Sequence, residues 1–136
     1  MTTKAVWGPC VWYLFHTLAH HIDENSAKFE TVKNELIAFS FRIATNLPCP
    51  ECSQHASAYL SKVNPKLIKT KTDLKMLYIN FHNAVNIRKG KPVFSLEDAN
   101  AKYEKANVKL MINNFHKDIL LSEFKAWTVH NIQMFT

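Results

Sequence analysis

The amino-acid sequence predicts an all-α fold, on three observations. Apolar residues recur at three- and four-residue spacing over long stretches, and no stretch alternates as a strand would. Only 2 glycines and 5 prolines occur among 136 residues, which starves the chain of the tight turns that hairpins need. A hydrophobic share of 47% and an aromatic share of 12% supply one core of ordinary size.

The first helix is expected to open at Trp7-Gly8-Pro9, with Gly8 as cap and Pro9 at the first helical position. Val11, Leu14, Phe15, Leu18 and Ile22 form its inward stripe, and Trp12, His16 and His20 stack on an adjoining face. A second helix runs from about Ser26 to Asn46, buried through Phe29, Val32, Leu36, Phe39, Ile43 and Leu47, and Pro48 ends it. Cys49-Pro50 opens the third, with Cys49 as cap, and Ala56, Tyr59, Leu60 and Val63 carry it to Asn64-Pro65. After a lysine-rich connection, Asp73 caps a fourth helix built on Leu74, Leu77, Tyr78, Phe81 and Val85, which Gly90 and Pro92 stop. Ser95, with Glu97 and Asp98 in the first turn, opens a shorter fifth through Tyr103 to Ala106. From Phe115 to Phe135 the stripe Ile119, Leu120, Phe124 and Trp127 predicts one further helix.

The net charge is +6, but the chain has only two arginines, Arg42 and Arg88. Lys62, Lys66, Lys69, Lys71 and Lys75 gather around a connection rather than along an arm. They read as a solvated rim, not as a nucleic-acid footprint. The same charge would equally serve an anionic cofactor. No apolar run is long enough to span a bilayer, and Met1-Thr2-Thr3-Lys4 lacks the apolar core of a signal peptide. Three cysteines are too few for a disulfide scaffold.

Two constellations carry chemistry. Cys49-Pro50-Glu51-Cys52 is a C-x-x-C at a helix head, where free amides and the helix dipole favour thiolate. The second thiol sits one turn further in, within reach for a disulfide, so thiol–disulfide exchange follows. The rival reading is a zinc site on Cys49, Cys52 and His55, which lacks a fourth ligand. The other constellation is His82-Asn83-Ala84-Val85-Asn86-Ile87-Arg88-Lys89-Gly90-Lys91-Pro92. His82, Asn86 and Lys89 share a helical face with Asn83 beside them, and asparagine is a weak helix former. Phe81 and Val85 flank the stripe, so its polar groups border the core and need partners. Trp12, His16 and His20 could stack on a flat heteroaromatic ring.

In this order the motifs resemble the FAD-linked sulfhydryl oxidases of the Erv/ALR type. Trp12 and His16 match the family's Trp-x-x-x-His, Cys49 to Cys52 its redox pair, and His82 to Pro92 its His-Asn-x-Val-Asn signature. The resemblance covers about residues 4–106. With Trp7-Gly8-Pro9 and the compact length, it is nearest to versions encoded by large cytoplasmic DNA viruses.

The resemblance implies a four-helix bundle with a short perpendicular fifth helix and FAD in its mouth. Residues 1–108 would form that oxidase domain, and 109–136 a helical extension packed on it. Trp7, Gly8, Trp12, His16 and His20 would lie at the flavin and adenine, with Cys52 facing the flavin and His55 approaching from helix three. His82, Asn83, Val85, Asn86, Lys89 and Lys91 would hold adenine, ribose and pyrophosphate, and Tyr103 would stand for a family tryptophan. No metal is implied. The implied partners are protein dithiols or a thioredoxin-like relay, dioxygen, and a second copy paired through the first two helices. Nucleic acid and membrane are not implied. The implied location is the host cytoplasm, with the virion as a second address.

The departures are equally specific. The shuttle cysteines and second structural disulfide of cellular relatives are absent, Cys10 has no assigned role, and nothing after Asn107 aligns. The mechanism implied begins with a substrate thiolate attacking Cys49, so that Cys52 leaves as thiolate toward the flavin. A second substrate thiol resolves the mixed disulfide, and electrons pass by FAD to dioxygen, giving hydrogen peroxide. The alternatives are a non-enzymatic zinc or interaction module on Cys49, Cys52 and His55, and a thioredoxin-like reductase. The latter fails because its C-x-x-C follows a strand.

Overall fold

A computed structural model describes the backbone of residues 4–112 and 119–136, and the side chains of residues 10–112 and 121–136. Trp7 and Gly8 lie outside the described side chains, as do Phe115, Ile119 and Leu120 of the expected C-terminal stripe. The described residues form seven helices and two 3-10 turns, with no strand among them. The all-α expectation is met.

Helix α1 spans Lys4–His21 and is the hub of the molecule. It begins earlier than Gly8-Pro9 suggests. Pro9 sits inside the helix, where its missing N–H forfeits one backbone bond without stopping the turn before it. Helix α2, Phe29–Ala44, is shorter than expected at both ends. The Ser26 hydroxyl accepts from Lys28 N at 3.1 Å, a local turn that competes with helix. At the other end Thr45 and Asn46 donate back to the carbonyls of Phe41 and Arg42, at 2.8 and 2.7 Å.

Helix α3, Pro50–Leu60, opens as expected with Cys49 as cap and Pro50 first. It closes before Val63. Asn64 precedes a proline, stays extended, and caps the 3-10 turn Pro65–Leu67 instead. Helix α4, Lys71–Arg88, is capped by Thr70 rather than Asp73. Asp73 is the reciprocal partner: Thr70 Oγ1 accepts from Asp73 N at 3.0 Å, and the Asp73 carboxylate accepts from Thr70 N at 3.1 Å. Helix α5, Leu96–Tyr103, repeats this box with Ser95 and Asp98.

A short helix α6, Val108–Ile112, follows α5; within the span 115–135, where one helix is expected, the described residues form α7, Ile119–His130, and a 3-10 turn, Ile132–Phe135. Asn131 breaks the run, turning its amide back to the Trp127 carbonyl at 2.9 Å.

The core gathers where α1, α2 and α4 meet the C-terminal elements. Leu14, Phe15, Leu18, Leu36, Leu74, Tyr78, Phe124 and Phe135 are all buried in it. Within it Tyr78 Oη donates to Ser40 Oγ at 3.0 Å, and Ser40 Oγ donates to the Ile37 carbonyl at 2.8 Å. Lys33 is buried too, and its ammonium donates to the Glu30 carboxylate at 2.9 Å and to the Ile68 carbonyl.

Candidate active site

The head of α3 presents the sulfurs. Cys49 holds the cap position and is joined to Cys52 by a disulfide, their Cα atoms 5.2 Å apart. Cys52 N–H points at Cys49 Sγ across 3.3 Å, so the helix head already offers a donor to that sulfur. Ser53 donates from its hydroxyl to the Leu47 carbonyl at 3.1 Å, pinning the approach to the helix.

Both cysteines line a cleft of about 950 Å³ between α1, α3, α4 and α5. That is near the upper end of the ~300–1,000 Å³ common for cofactor sites. Its lining is mainly apolar and aromatic, including Val11, Trp12, Tyr13, Phe15, Ala56, Phe81 and Val85. The Trp12 and His82 rings stack in parallel, with centroids 4.0 Å apart and planes 5° apart. Phe81 meets Trp12 edge-on at 5.0 Å. Arg88, Lys89, Lys91 and Lys102 add four cations to the lining.

Lys91 is placed by the end of α4. Gly90 adopts φ +70, so its N–H reaches the Ile87 carbonyl at 3.2 Å and Lys91 N–H reaches the Asn86 carbonyl at 2.8 Å. This double reversal needs the left-handed conformation that glycine adopts without strain.

Behind the cleft wall, His16 Nε2 and His82 Nδ1 are 2.9 Å apart. Burial pushes the His16 pKa down to about 2, aided by His82, His20 and Lys102. Burial, then Lys102, Lys91 and Lys89, pushes His82 down to about 4. Tyr103 stacks on His16 at 4.7 Å, and burial followed by Tyr13 raises its phenol to about 12. These rings are neutral near pH 7.

Of the residues read from the sequence, the cleft brings together Trp12, Cys49, Cys52, His82, Val85, Asn86, Lys89, Lys91 and Tyr103. The others stand elsewhere. His16 is fully buried behind His82. His20 is buried against Tyr103 and donates from Nδ1 to the His16 carbonyl at 2.8 Å. A four-residue step turns a helix about 40° past one revolution, so the stripe from Trp12 drifts off the cleft by His20.

Asn83 clamps a loop, donating to the Phe94 carbonyl at 2.8 Å and accepting from Phe94 N at 3.1 Å. His55 is exposed, 3.8 Å from the Glu51 carboxylate. Cys49, Cys52 and Ala56 form the cleft-facing stripe of α3, and His55 lies about 100° round from Ala56. The zinc grouping is therefore not assembled, and no cluster among the described residues is suited to a metal.

Sequence reasoning missed Tyr13, Phe94, Arg88 and Lys102. Arg88 stands inside the quoted His82–Pro92 run, which was its signal. Phe94 and Lys102 carry no local signal, because only the packing of α5 and its leading loop on α1 and α4 brings them near.

Comparison with known proteins gives the same picture. The chain is 32% identical over 103 residues to a FAD-linked sulfhydryl oxidase of African swine fever virus (isolate Warthog/Namibia/Wart80/1980), covering 76% of this chain and 84% of that one. A second isolate of that virus, Pig/Kenya/KEN-50/1950, gives 33% over 103 residues with the same coverage. The FAD-linked sulfhydryl oxidase ERV1 of Oryza sativa subsp. japonica is 33% identical over 104 residues, 76% of this chain but 52% of that one. No solved structure matches. The model of the Erv1 / Alr family matches residues 9–107, a span that holds the disulfide and every cleft-lining residue named above, and the chain belongs to that family.

Proposed function

We propose that this chain is a FAD-dependent thiol oxidase that forms disulfides in other proteins through Cys49 and Cys52. One observation carries the reading: a helix-head disulfide opens into an aromatic cleft lined with cations. The lining suits FAD in chemistry as well as size. Parallel Trp12 and His82 suit a flat ring, and Arg88, Lys89, Lys91 and Lys102 suit a pyrophosphate. Val85 and Asn86 complete that wall, and Tyr103 closes it from α5. Bound FAD supplies a two-electron acceptor and the outlet to dioxygen, with hydrogen peroxide as product.

The chain's own residues do the sulfur chemistry. A substrate thiolate attacks Cys49 Sγ, the Cys49–Cys52 bond breaks, and Cys52 departs as thiolate within the cleft wall. A second substrate thiol, giving up its proton, attacks the mixed disulfide and releases oxidised substrate with Cys49 as thiolate. The donor from Cys52 N supports negative charge on Cys49 at that point. Two thiols are oxidised and one disulfide of the chain is reduced.

Three cysteines leave no second pair to shuttle electrons, so a dithiol protein or a thioredoxin-like relay meets Cys49 directly. Residues 1–108 form the oxidase domain and 109–136 an apolar cover. The homodimer belongs to this reading, on the part of α1 and α2 that α7 leaves free. So does a location in the host cytoplasm, with the virion as a second site. Viral relatives support the location, and no helix among the described residues is long and apolar enough to cross a membrane.

The test is colour and turnover together. Purified protein should be yellow with flavin, and Cys49→Ser and Cys52→Ser should each abolish dithiol oxidation while the colour remains. A colourless protein carrying zinc, or substantial turnover in either variant, would sink the reading.

A further inference from the structure

We infer that His16 is a positioning residue: by donating from Nε2 to His82 Nδ1, it fixes His82 as the Nε2–H tautomer and makes it a hydrogen-bond donor toward the cleft. The inference rests on the reading of that cleft as the FAD site, and it assigns His16 a task other than touching the cofactor.

The packing of α1 on α4 brings two rings 66 residues apart in sequence to a 2.9 Å contact. His16 has no freedom to turn away. Tyr103 stacks on one side at 4.7 Å, and Phe94 and Tyr78 abut it edge-on at 5.5 and 6.5 Å. Its other nitrogen, Nδ1, is buried with no hydrogen-bond partner among the described residues.

A 2.9 Å contact between two imidazole nitrogens needs one proton between them, and each way of placing it has a different consequence. If His82 donates from Nδ1, His16 must carry its own proton on Nδ1, leaving a buried N–H with nothing to receive it. If His16 donates from Nε2, only a lone pair is left at Nδ1. Buried donors without acceptors are the rarer and costlier case, so the second arrangement wins. Protonating both nitrogens of either ring is disfavoured by burial and by the positive charge of Lys102.

With Nδ1 of His82 occupied, Nε2 is the nitrogen left for the cleft, and it carries the proton. His82 lines that cleft and is held flat on Trp12. The ligand atom that meets it must therefore be an acceptor. A ring nitrogen, carbonyl or phosphate oxygen of a flavin nucleotide qualifies, and an N–H or O–H group that can only donate is refused. An ordinary packed histidine would not explain the arrangement, since Phe at position 16 would stack on Tyr103 without stranding a nitrogen.

Nitrogen-15 NMR of histidine-labelled holoprotein reads the tautomer directly. His82 should show a protonated Nε2 and an unprotonated Nδ1; the reverse assignment overturns the inference whether or not flavin is present. The second arm compares His16→Phe, which keeps the ring packed, with His16→Gln, which restores an N–H donor. Flavin affinity should fall about tenfold in the first, as for one lost hydrogen bond, and largely recover in the second. Equal weakening in both variants would make His16 mere packing and overturn the inference. A protein with no flavin at all would instead defeat the proposed function, while the tautomer reading still decides the role of His16. Should His16→Phe fail to fold, the wild-type spectrum alone remains decisive.

Discussion

Helix α1 borders two regions built on opposite principles. Toward α4 and α5 it presents Trp12 and His16 to rings with polar handles, and a cleft of about 950 Å³ stays open beside a disulfide. Toward the C-terminal segment it presents Phe15, which meets Phe124 at 6.4 Å, while Phe124 and Trp127 stack beside Phe39. There Leu121, Phe124, Met134 and Phe135 are all buried. The first region keeps aromatic surface available to a ligand, and the second covers it with the chain itself. Damage to the second should therefore be read in folding, and damage to the first in cofactor and turnover.

The largest expected effect comes from exchanging that damage. Phe124→Ala should cost about 3–5 kcal/mol of folding stability through the cavity it leaves, while flavin content of the folded protein persists. Trp12 is only half-buried, so Trp12→Ala should strip flavin with a smaller loss of stability in the cofactor-free protein. Chemical unfolding with and without added FAD separates the two. If Phe124→Ala empties the cleft without lowering stability, the two regions are not distinct.

Acid should weaken the cleft side in a defined window. His16 and His82 bind protons near 6.5 when unfolded but only near 2 and 4 when folded. Between those values the unfolded chain holds more protons, so stability rises with pH. Their contribution is intact above about 6.5 and declines as pH falls toward 4, with a slope approaching two protons. A melting temperature flat between pH 6.5 and 5, or unchanged in its pH dependence by His16→Phe, would contradict this.

The contrast also marks what the sequence could disclose. Cys49-Pro50-Glu51-Cys52 was legible because its chemistry depends on one helix head, and Pro50 and the cap are local. The face of His82, Asn86 and Lys89 was legible for the same reason. Where two elements had to meet, periodicity was blind: it grouped His16 with Trp12 on one face, and the packing of α4 sets His16 behind His82. The resemblance brought His55 toward the site from helix three, and the structure places it exposed, about 100° round α3 from the cleft-facing Ala56. Asn83 was polar in an odd place, and the partner its side chain holds here is the Phe94 backbone, eleven residues on and across a turn. The C-terminal stripe announced burial correctly through Phe124, but one helix and two shorter pieces share the same apolar spacing until Asn131 breaks it.

The smallest effect is expected at Cys10. It sits two residues before Trp12, half-buried and packed against the main core. Burial raises the pKa of its thiol, so at neutral pH it is protonated and a poor nucleophile, unlike a relay cysteine held as thiolate at a helix head. A small apolar role is the ordinary one for such a side chain. Cys10→Ala removes little volume from a partly exposed site, and stability should change by less than about 1 kcal/mol. Flavin content, oligomeric state and dithiol oxidation should match wild type, and a non-reducing gel should show no Cys10-dependent band of doubled mass. A marked fall in turnover, or a covalent dimer that vanishes in this variant, would move Cys10 from the packing of the molecule into its chemistry.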